Sequence, residues 1–70
     1  MKQLNLQKLQ NILRKKFLKV GVKMIDPETI FFSKDTKIGK NVIIEPYVVI
    51  GLKVKIGNNV TIKSFSHLEN

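Results

Sequence analysis

Apolar residues recur at every sixth position through the C-terminal half of the chain. The larger ones stand at Phe32, Ile38, Ile44, Ile50, Ile56, Ile62 and Leu68. A second set of smaller or β-branched residues stands at the fifth position of each six-residue unit, two residues before the next large one, at Thr36, Val42, Val48, Val54, Val60 and Ser66. A period of six fits neither an α-helix nor a single strand, and six-residue repetition is typical of a parallel β-helix. The pattern therefore predicts a β-solenoid over residues 32–70.

The repeat also predicts which residues stack on one another. Short β-branched strands bury alternate side chains, and a bend must then turn the chain onto the next side. Three sides of six residues give coils of about eighteen residues, so residues 32–70 hold about two coils. The predicted stacked pairs are Phe32–Ile50, Ile38–Ile56, Ile44–Ile62, Ile50–Leu68, Thr36–Val54 and Val42–Val60.

The fourth position of each unit falls where the chain must bend. Asn41 and Asn59 occupy it, and asparagine tolerates left-handed backbone better than most residues. We predict left-handed conformations at both, and a weaker case of the same kind at Asp35. Tyr47, Lys53 and Phe65 hold the same position although their side chains suit it less well.

The N-terminal segment has a helical pattern. From Leu4 to about Val20 there is no glycine or proline, and helix-favouring residues dominate. Apolar residues recur at three- and four-residue steps, which predicts one apolar stripe formed by Leu6, Leu9, Leu13, Phe17 and Val20, with Ile12 beside it. The opposite face is predicted to carry Lys8, Arg14, Lys15 and Lys19. Gly21 is well placed to end the helix.

Between the helix and the repeat lies a short junction. Pro27 favours an extended Asp26 and marks a turn at residues 24–28, so we expect the first strand to begin near Thr29. The predicted organisation is a basic amphipathic linker helix over 1–23, a junction and first strand over 24–31, and incomplete repeat coils over 32–70.

Charge and composition limit the possible roles of the 70-residue chain. The net charge is +8, and residues 1–23 contribute seven basic residues and no acid. There is no cysteine, and no apolar run approaches the length of about 20 residues that a membrane span needs. We expect a protein without disulfides or membrane spans, located in the cytoplasm.

Three phrases carry a resemblance to a known family. MIDPETIFFSKDTKIG, VIIEPYVVIG and SFSHLEN resemble the start of the acetyltransferase domain in the bifunctional N-acetylglucosamine-1-phosphate uridyltransferase/glucosamine-1-phosphate acetyltransferases, which are hexapeptide-repeat acyltransferases. The resemblance covers roughly residues 21–70. It implies a left-handed parallel β-helix that forms trimers. It also implies enzymes that use acetyl-coenzyme A and magnesium to make UDP-N-acetylglucosamine, a peptidoglycan precursor.

The same resemblance implies that this segment carries no active site. The uridyltransferase domain of the family precedes the linker helix, and nothing like its glycine-rich loop appears in residues 1–20. The catalytic histidine of the family and its coenzyme A contacts belong to later coils than the SFSHLEN phrase. We therefore assign no catalytic, cofactor-binding or metal-binding residue, and expect no cofactor in this segment.

The residues themselves offer few candidates for chemistry. His67 is the only histidine and adjoins Ser66, but neighbours in a strand point to opposite faces and do not meet. Asp26 and Glu28 are typical of turn acids. The glycines follow the repeat and form no phosphate-binding loop. The remaining charged residues suit a solvated face or the repeat itself, namely Lys53, Lys55, Lys63 and Glu45.

Two functions remain open from the sequence. One is a shortened, non-catalytic segment of the acetyltransferase half with a structural role, as a homotrimer or with a downstream β-helix partner that covers its open end. The alternative is an interaction module whose basic helix binds a membrane surface or a polyanion. No nucleic-acid partner is expected, because no aromatic interleaving or recognised binding module accompanies the basic residues.

Overall fold

One helix precedes a series of short parallel strands. The computed structural model describes residues 6–69. Its helix, α1, spans Leu6–Lys19, and a 3₁₀ turn spans Pro27–Thr29. The strands are β1 (Lys23–Met24), β2 (Ile30–Phe31), β3 (Lys37–Ile38), β4 (Ile43–Ile44), β5 (Val48–Ile50), β6 (Lys55–Ile56), β7 (Thr61–Ile62) and β8 (His67–Leu68). Leu4, which we predicted as the first helical residue, lies outside the described residues.

The strands form three parallel sheets that the chain visits in a fixed cyclic order. Sheet A contains β1, β4 and β7, sheet B contains β2, β5 and β8, and sheet C contains β3 and β6. Every pairing is parallel. Each return to a sheet therefore adds a strand to its growing edge. The prediction of a six-residue repeat of parallel strands behind one helix is confirmed at this level.

The register follows the predicted coil length. Ile38 pairs with Ile56, Ile44 with Ile62 and Ile50 with Leu68, each eighteen positions apart. The predicted Thr36–Val54 and Val42–Val60 levels also fit, because the N–H groups of Lys37 and Ile43 donate to the carbonyls of Val54 and Val60. Ile30 pairs with Val48 and Phe31 with Val49, so Phe32 comes next in line with Ile50. The repeated residues form the core, with the centre fully buried at Ile30, Val42, Ile44 and Val48.

The first coil begins earlier than the sequence suggested. We expected the first strand near Thr29, but Lys23–Met24 already pairs with Ile43–Ile44. Lys23 and its partner Ile43 are twenty positions apart instead of eighteen. The 3₁₀ turn over Pro27–Thr29 lies within this longer coil. The sequence analysis did not predict β1, because a two-residue strand without a preceding repeat unit leaves no periodic signal.

Gly21 ends the helix as predicted. Its φ is +101°, a value that residues with a Cβ rarely adopt. The N–H of Val22 donates to the Phe17 carbonyl, and that of Gly21 to the Leu18 carbonyl. These two bonds are the pair of a Schellman motif, in which the residue after the glycine also packs on the helix. Val22 and Phe17 are both buried in the core, so the motif turns the chain directly into β1.

The buried face of α1 differs from the predicted stripe. Leu13 and Phe17 are buried as expected, and the Phe17 and Phe32 rings lie 4.8 Å apart. Val20 and Ile12, however, are exposed. Arg14, which we placed on the opposite face, is only 4% exposed, and Gln10 is buried with it. The placement of Arg14 on the opposite face is wrong, because the helix meets polar backbone groups at the edge of sheet B as well as apolar side chains.

Gln10 and Arg14 bind backbone groups of β2 and its neighbour Phe32 that have no strand below them. The Arg14 guanidinium donates to the Ile30 carbonyl from Nε at 3.2 Å and from Nη2 at 2.9 Å. It also donates to the Asn11 side chain and the Glu28 carbonyl. The Gln10 amide binds the N–H and the carbonyl of Phe32. Unpaired backbone groups at a buried edge are costly, so α1 closes this end of the coils.

Candidate interaction surfaces

At each of the three corners between sheets, residues at the predicted bends of successive coils contact one another. Left-handed φ values occur at Asn41, Tyr47, Lys53, Asn59 and Phe65, between +57° and +63°. The asparagine predictions are confirmed. Asp35 is not in this conformation, so that prediction is wrong. Its carboxylate instead accepts the Lys53 N–H at 3.0 and 3.1 Å.

The three corners differ in chemistry. Between sheets C and A, the Asn41 side chain donates to the Asn59 side chain at 3.2 Å. Between sheets B and C lies the charged Asp35–Lys53 step. Between sheets A and B, the rings of Tyr47 and Phe65 stack with centroids 5.3 Å apart and planes within 3° of parallel. Tyr47 remains 56% exposed and Phe65 80% exposed. Large rings in a disfavoured backbone conformation and in contact with water are unusual, and they mark this corner as a candidate binding surface.

Apolar side chains continue from the aromatic corner onto sheet B. Phe31 and Val49 are exposed neighbours on its outer face, where Val49 also pairs with His67. The Arg14 guanidinium lies 5.4 Å from the centre of the Phe31 ring. On sheet A, Ile43 is exposed on the outer face. We call Phe31, Ile43, Tyr47, Val49 and Phe65 the apolar face.

Sheet C and the outer side of the helix carry the opposite chemistry. Lys37 and Lys55 pair directly on the outer face of sheet C and are both exposed. Lys16 and Lys40 join Lys37 around a groove of about 450 Å³ whose floor includes Phe17, Val20 and Ile38. Among residues 6–69, none of these lysines forms an ion pair. Like charges placed side by side on a sheet destabilise it, so this surface favours an anionic partner.

Exposed apolar residues also lie on the outer side of α1. Ile12 is 56% exposed and Leu18 46% exposed. They line a depression of about 530 Å³ together with Lys15, Lys16 and Lys19. The sequence analysis placed Ile12 beside the apolar stripe and did not single out Leu18, so it did not predict this surface. The sequence did contain a signal for this surface. Ile12 stands three residues before Lys15 and four before Lys16, and this spacing places the three residues on one helix face.

Glu45 links two successive coils of sheet A at its end. Its Oε1 accepts the Ser64 N–H at 3.0 Å, and Oε2 lies 3.5 Å from Lys63 Nζ. The hydrogen bond from the Ser64 backbone, with the charge of Lys63, lowers the pKa of Glu45 below its ordinary value. Lys63 thus has an ion-pair partner in Glu45, although its side chain is exposed like those of Lys53 and Lys55.

The side chains of Ser66 and His67, which are neighbours in the chain, contact different partners. Ser66 Oγ donates to the Lys63 carbonyl at 2.6 Å, while His67 Nε2 lies 3.4 Å from an oxygen of Glu69. The carbonyl of Asp26 accepts from Thr29 within the 3₁₀ turn that includes Glu28. In residues 6–69 no group of three or more histidine, cysteine or acidic side chains is arranged to hold a metal ion. Within this part of the chain, no serine–histidine pair lies in hydrogen-bonding contact.

The last strand of each sheet borders a further depression. β6, β7 and β8 each pair on one side with the previous coil. A hollow of about 510 Å³ lies there, and its apolar lining includes Val54, Ile56, Val60, Ile62 and Leu68. Parallel strand edges with apolar side chains between them are suited to pairing with a further coil of parallel strands.

Comparison with protein families decides what the repeat is. The model of the bacterial transferase hexapeptide (six repeats) family matches residues 35–70. The chain belongs to this family. The matched residues begin at the Asp35 corner and include β3 to β8, so the hexapeptide repeat and the parallel coils are the same feature. No curated protein matches the chain.

The helical part adds one finding of its own. No helix within residues 6–69 is both long and apolar enough to cross a membrane.

Proposed function

We propose that this chain forms the first coils of a left-handed parallel β-helix related to the acetyltransferase half of the bifunctional uridyltransferase/acetyltransferase enzymes. Its membership of the hexapeptide family supports the hand of the coil, and the phrases around Pro27, Pro46 and His67 support the narrower relationship. Its role is structural. It assembles as a homotrimer and does not transfer acetyl groups by itself.

The apolar face is the observation that carries the assembly. Monomeric soluble proteins seldom expose a contiguous set of large apolar side chains, and such patches mark interaction sites. Here five exposed ones lie on sheets A and B and at the corner between these sheets, two of them held in a left-handed conformation. The opposite sheet carries lysines, so lateral association through the apolar face keeps the charged surfaces apart. Hexapeptide-repeat proteins often form trimers, and a second and third copy are the occupants we propose.

The absence of catalysis rests on the site geometry. A histidine acts as a base when it reaches the proton that it removes, either directly or through one water. His67 lies beside Glu69, and Ser66 donates to a backbone carbonyl. Acetyl-coenzyme A and magnesium, which the related enzymes use, are therefore not proposed as ligands of residues 6–69.

Sedimentation velocity and far-ultraviolet circular dichroism on the same sample test the assembly. We expect a discrete trimer with a β signal. Val49→Lys and Phe65→Lys each place a charge on the apolar face and should yield monomers that keep the β signal. Leu52→Lys is the matched control, because Leu52 is exposed at the corner between sheets B and C and should leave the trimer intact.

A folded wild-type monomer at all accessible concentrations would contradict the trimer. An assembly that survives both apolar-face variants but dissociates with Leu68→Lys would instead identify the hollow above β6, β7 and β8 as the interface, as expected for a downstream β-helix partner. The catalytic statement has its own assay. Acetyl transfer from acetyl-coenzyme A to glucosamine 1-phosphate above the level without protein would overturn it.

A second candidate function, a basic interaction module, is favoured by the lysines on α1 and sheet C. Its partner is argued below.

A further inference from the structure

The outer side of α1 cannot turn inward. Gln10, Leu13, Arg14 and Phe17 fix the other side against the core and the edge of sheet B. The outer side therefore presents Ile12 and Leu18 to the surroundings among Lys15, Lys16 and Lys19. Ile12 and Leu18 belong neither to the buried core nor to the partly buried residues packed against it, and each remains about half exposed on this lysine-rich helix face.

The positive charge extends past the helix. Lys16 lies at the groove that also contains Lys37 and Lys40, and Lys37 is paired with Lys55 on sheet C. The sequence from residue 6 to residue 25 contains no acidic residue, and the first acid is Asp26. Lysines therefore follow the outer side of α1 and the outer side of sheet C, with Asp26 and Glu28 at the edge beside Lys15 and Leu18, and Asp35 at the edge beside Lys37 and Lys55. We call the following set the basic surface: Ile12, Leu18, Lys15, Lys16, Lys19, Lys37, Lys40 and Lys55.

The combination of charge and apolar side chains distinguishes between anionic partners. A nucleic acid or another soluble polyanion gains its affinity from lysines and phosphates, and half-exposed isoleucine and leucine add little. An anionic membrane surface uses both, because the lysines meet the headgroups while the apolar side chains enter the acyl boundary. A helix of fourteen residues held parallel to the surface is long enough for this mode.

We infer that the basic surface binds the interface of an anionic lipid membrane, with Ile12 and Leu18 inserted and the lysines on the headgroups. This binding is independent of the proposed trimer, which uses the apolar face. The inserted residues and the apolar face lie on different parts of the molecule, so the two can be tested separately.

Vesicle flotation provides the test. The probes are phosphatidylcholine vesicles with and without about 30% phosphatidylserine, at low and high salt. We expect binding only to the anionic vesicles, and weaker binding at high salt. Lys15→Gln/Lys19→Gln should weaken binding about 30-fold at low salt, since each lysine near such a surface strengthens binding about fivefold. Ile12→Gln/Leu18→Gln keeps the charge and should weaken binding at least about tenfold.

Matched controls separate this surface from general effects. Lys53→Gln/Lys63→Gln removes the same charge from the later coils, and Leu52→Gln removes an apolar side chain from another exposed position. Both should bind as the wild type does. All variants change exposed residues, and circular dichroism verifies their folding.

A spectroscopic probe reports insertion directly. Because the chain has no cysteine, Leu18→Cys carries a single environment-sensitive fluorophore. We expect a blue shift on anionic vesicles, and none for the same label at Leu52→Cys. The inference is overturned if the protein does not float with anionic vesicles at low salt, or if the controls lose as much binding as the test variants. It is equally overturned if Ile12→Gln/Leu18→Gln binds lipid normally, since a soluble polyanion would then be the better partner.

Discussion

The side chain of Gln10 replaces a missing strand for Phe32. Gln10 Oε1 accepts the Phe32 N–H at 2.8 Å, and Gln10 Nε2 donates to the Phe32 carbonyl at 2.8 Å. A primary amide offers the same donor and acceptor pair as a peptide group, which is why one glutamine satisfies both. Through Gln10, the helix provides hydrogen-bond partners for backbone groups that the first coil would otherwise leave unpaired at its edge.

We expect Gln10→Leu to destabilise the protein. Leucine fills a similar volume but leaves two buried backbone groups without partners, which costs about 2–4 kcal/mol in the free energy of unfolding. Urea denaturation followed by circular dichroism measures the loss. Lys15→Leu places the same side chain at an exposed helical position and should change the stability by less than about 0.5 kcal/mol. Equal stability of the two variants would show that the edge does not need the glutamine.

Arg14 has a similar role with different geometry. Its guanidinium reaches the Ile30 carbonyl through two nitrogens and the Glu28 carbonyl through one of them. Arg14→Met should cost about 1–3 kcal/mol, because these carbonyls lose their donor. Arg14→Lys should recover little of this, since an ammonium group lacks the planar fork. A Lys variant as stable as the wild type would refute the importance of the fork, and Lys15→Met serves as the exposed control in the same urea experiment.

The repeat could be predicted because the types of side chain at regularly spaced positions determine it. Ile44 above Ile62 and Ile50 above Leu68 follow from a period of six and three sides, and Asn41 and Asn59 identify the bends through their tolerance of left-handed backbone. Gly21 ended the helix for the same kind of reason. These features depend on residues that are local in sequence or equally spaced, so one sequence is enough to find them.

The helix contacts were not predictable in the same way. Arg14 and Gln10 are buried because β2 leaves backbone groups unpaired, and that demand comes from the edge of a sheet far along the chain. Their positions among Leu13 and Phe17 on the helix were the only sequence signal. The candidate surfaces were missed for a related reason, since Val49 and Phe65 stand at repeat positions whose exposure depends on the coil geometry.

Gly39 and Gly57 follow the same repeat but differ in their surroundings. A Cβ on Gly39 would collide with Asn58 Oδ1 and lie 3.0 Å from the carbonyl carbon of Gly57, whereas a Cβ on Gly57 meets nothing within 4 Å. Asn58 Oδ1 accepts the Lys40 N–H at 2.7 Å and cannot turn away without losing that bond. Gly39→Ala should therefore cost about 1–2 kcal/mol. Gly57→Ala should be neutral or slightly stabilising in the same urea titration, and a reversed order would contradict the steric explanation.

Lys53 and Asn59 occupy equivalent left-handed positions with φ of +59° and +60°. Asparagine tolerates this conformation better than lysine, so Lys53→Asn should stabilise the protein by about 0.5–1 kcal/mol. The reverse change, Asn59→Lys, should destabilise it by at least as much because it also removes the bond from Asn41. Thermal unfolding of both variants measures the two shifts. If Lys53→Asn lowers the midpoint, backbone strain at this corner is not the dominant effect.

Glu45 makes the stability of the folded protein depend on pH. Its pKa is lower in the folded chain because of the Ser64 N–H and the charge of Lys63, so the carboxylate contributes stability above its ordinary pKa of 4.5. That contribution is lost as the pH falls through the lower folded value. We expect wild type to exceed Glu45→Gln in stability near neutral pH, with the difference disappearing in acid once the pH has fallen through the lowered pKa of the folded chain. Urea unfolding of both proteins across this range measures it, and Glu28→Gln, which changes an exposed acid of the 3₁₀ turn, is the control. A constant difference between wild type and Glu45→Gln at every pH would show that the carboxylate charge is not what stabilises the link between the two coils.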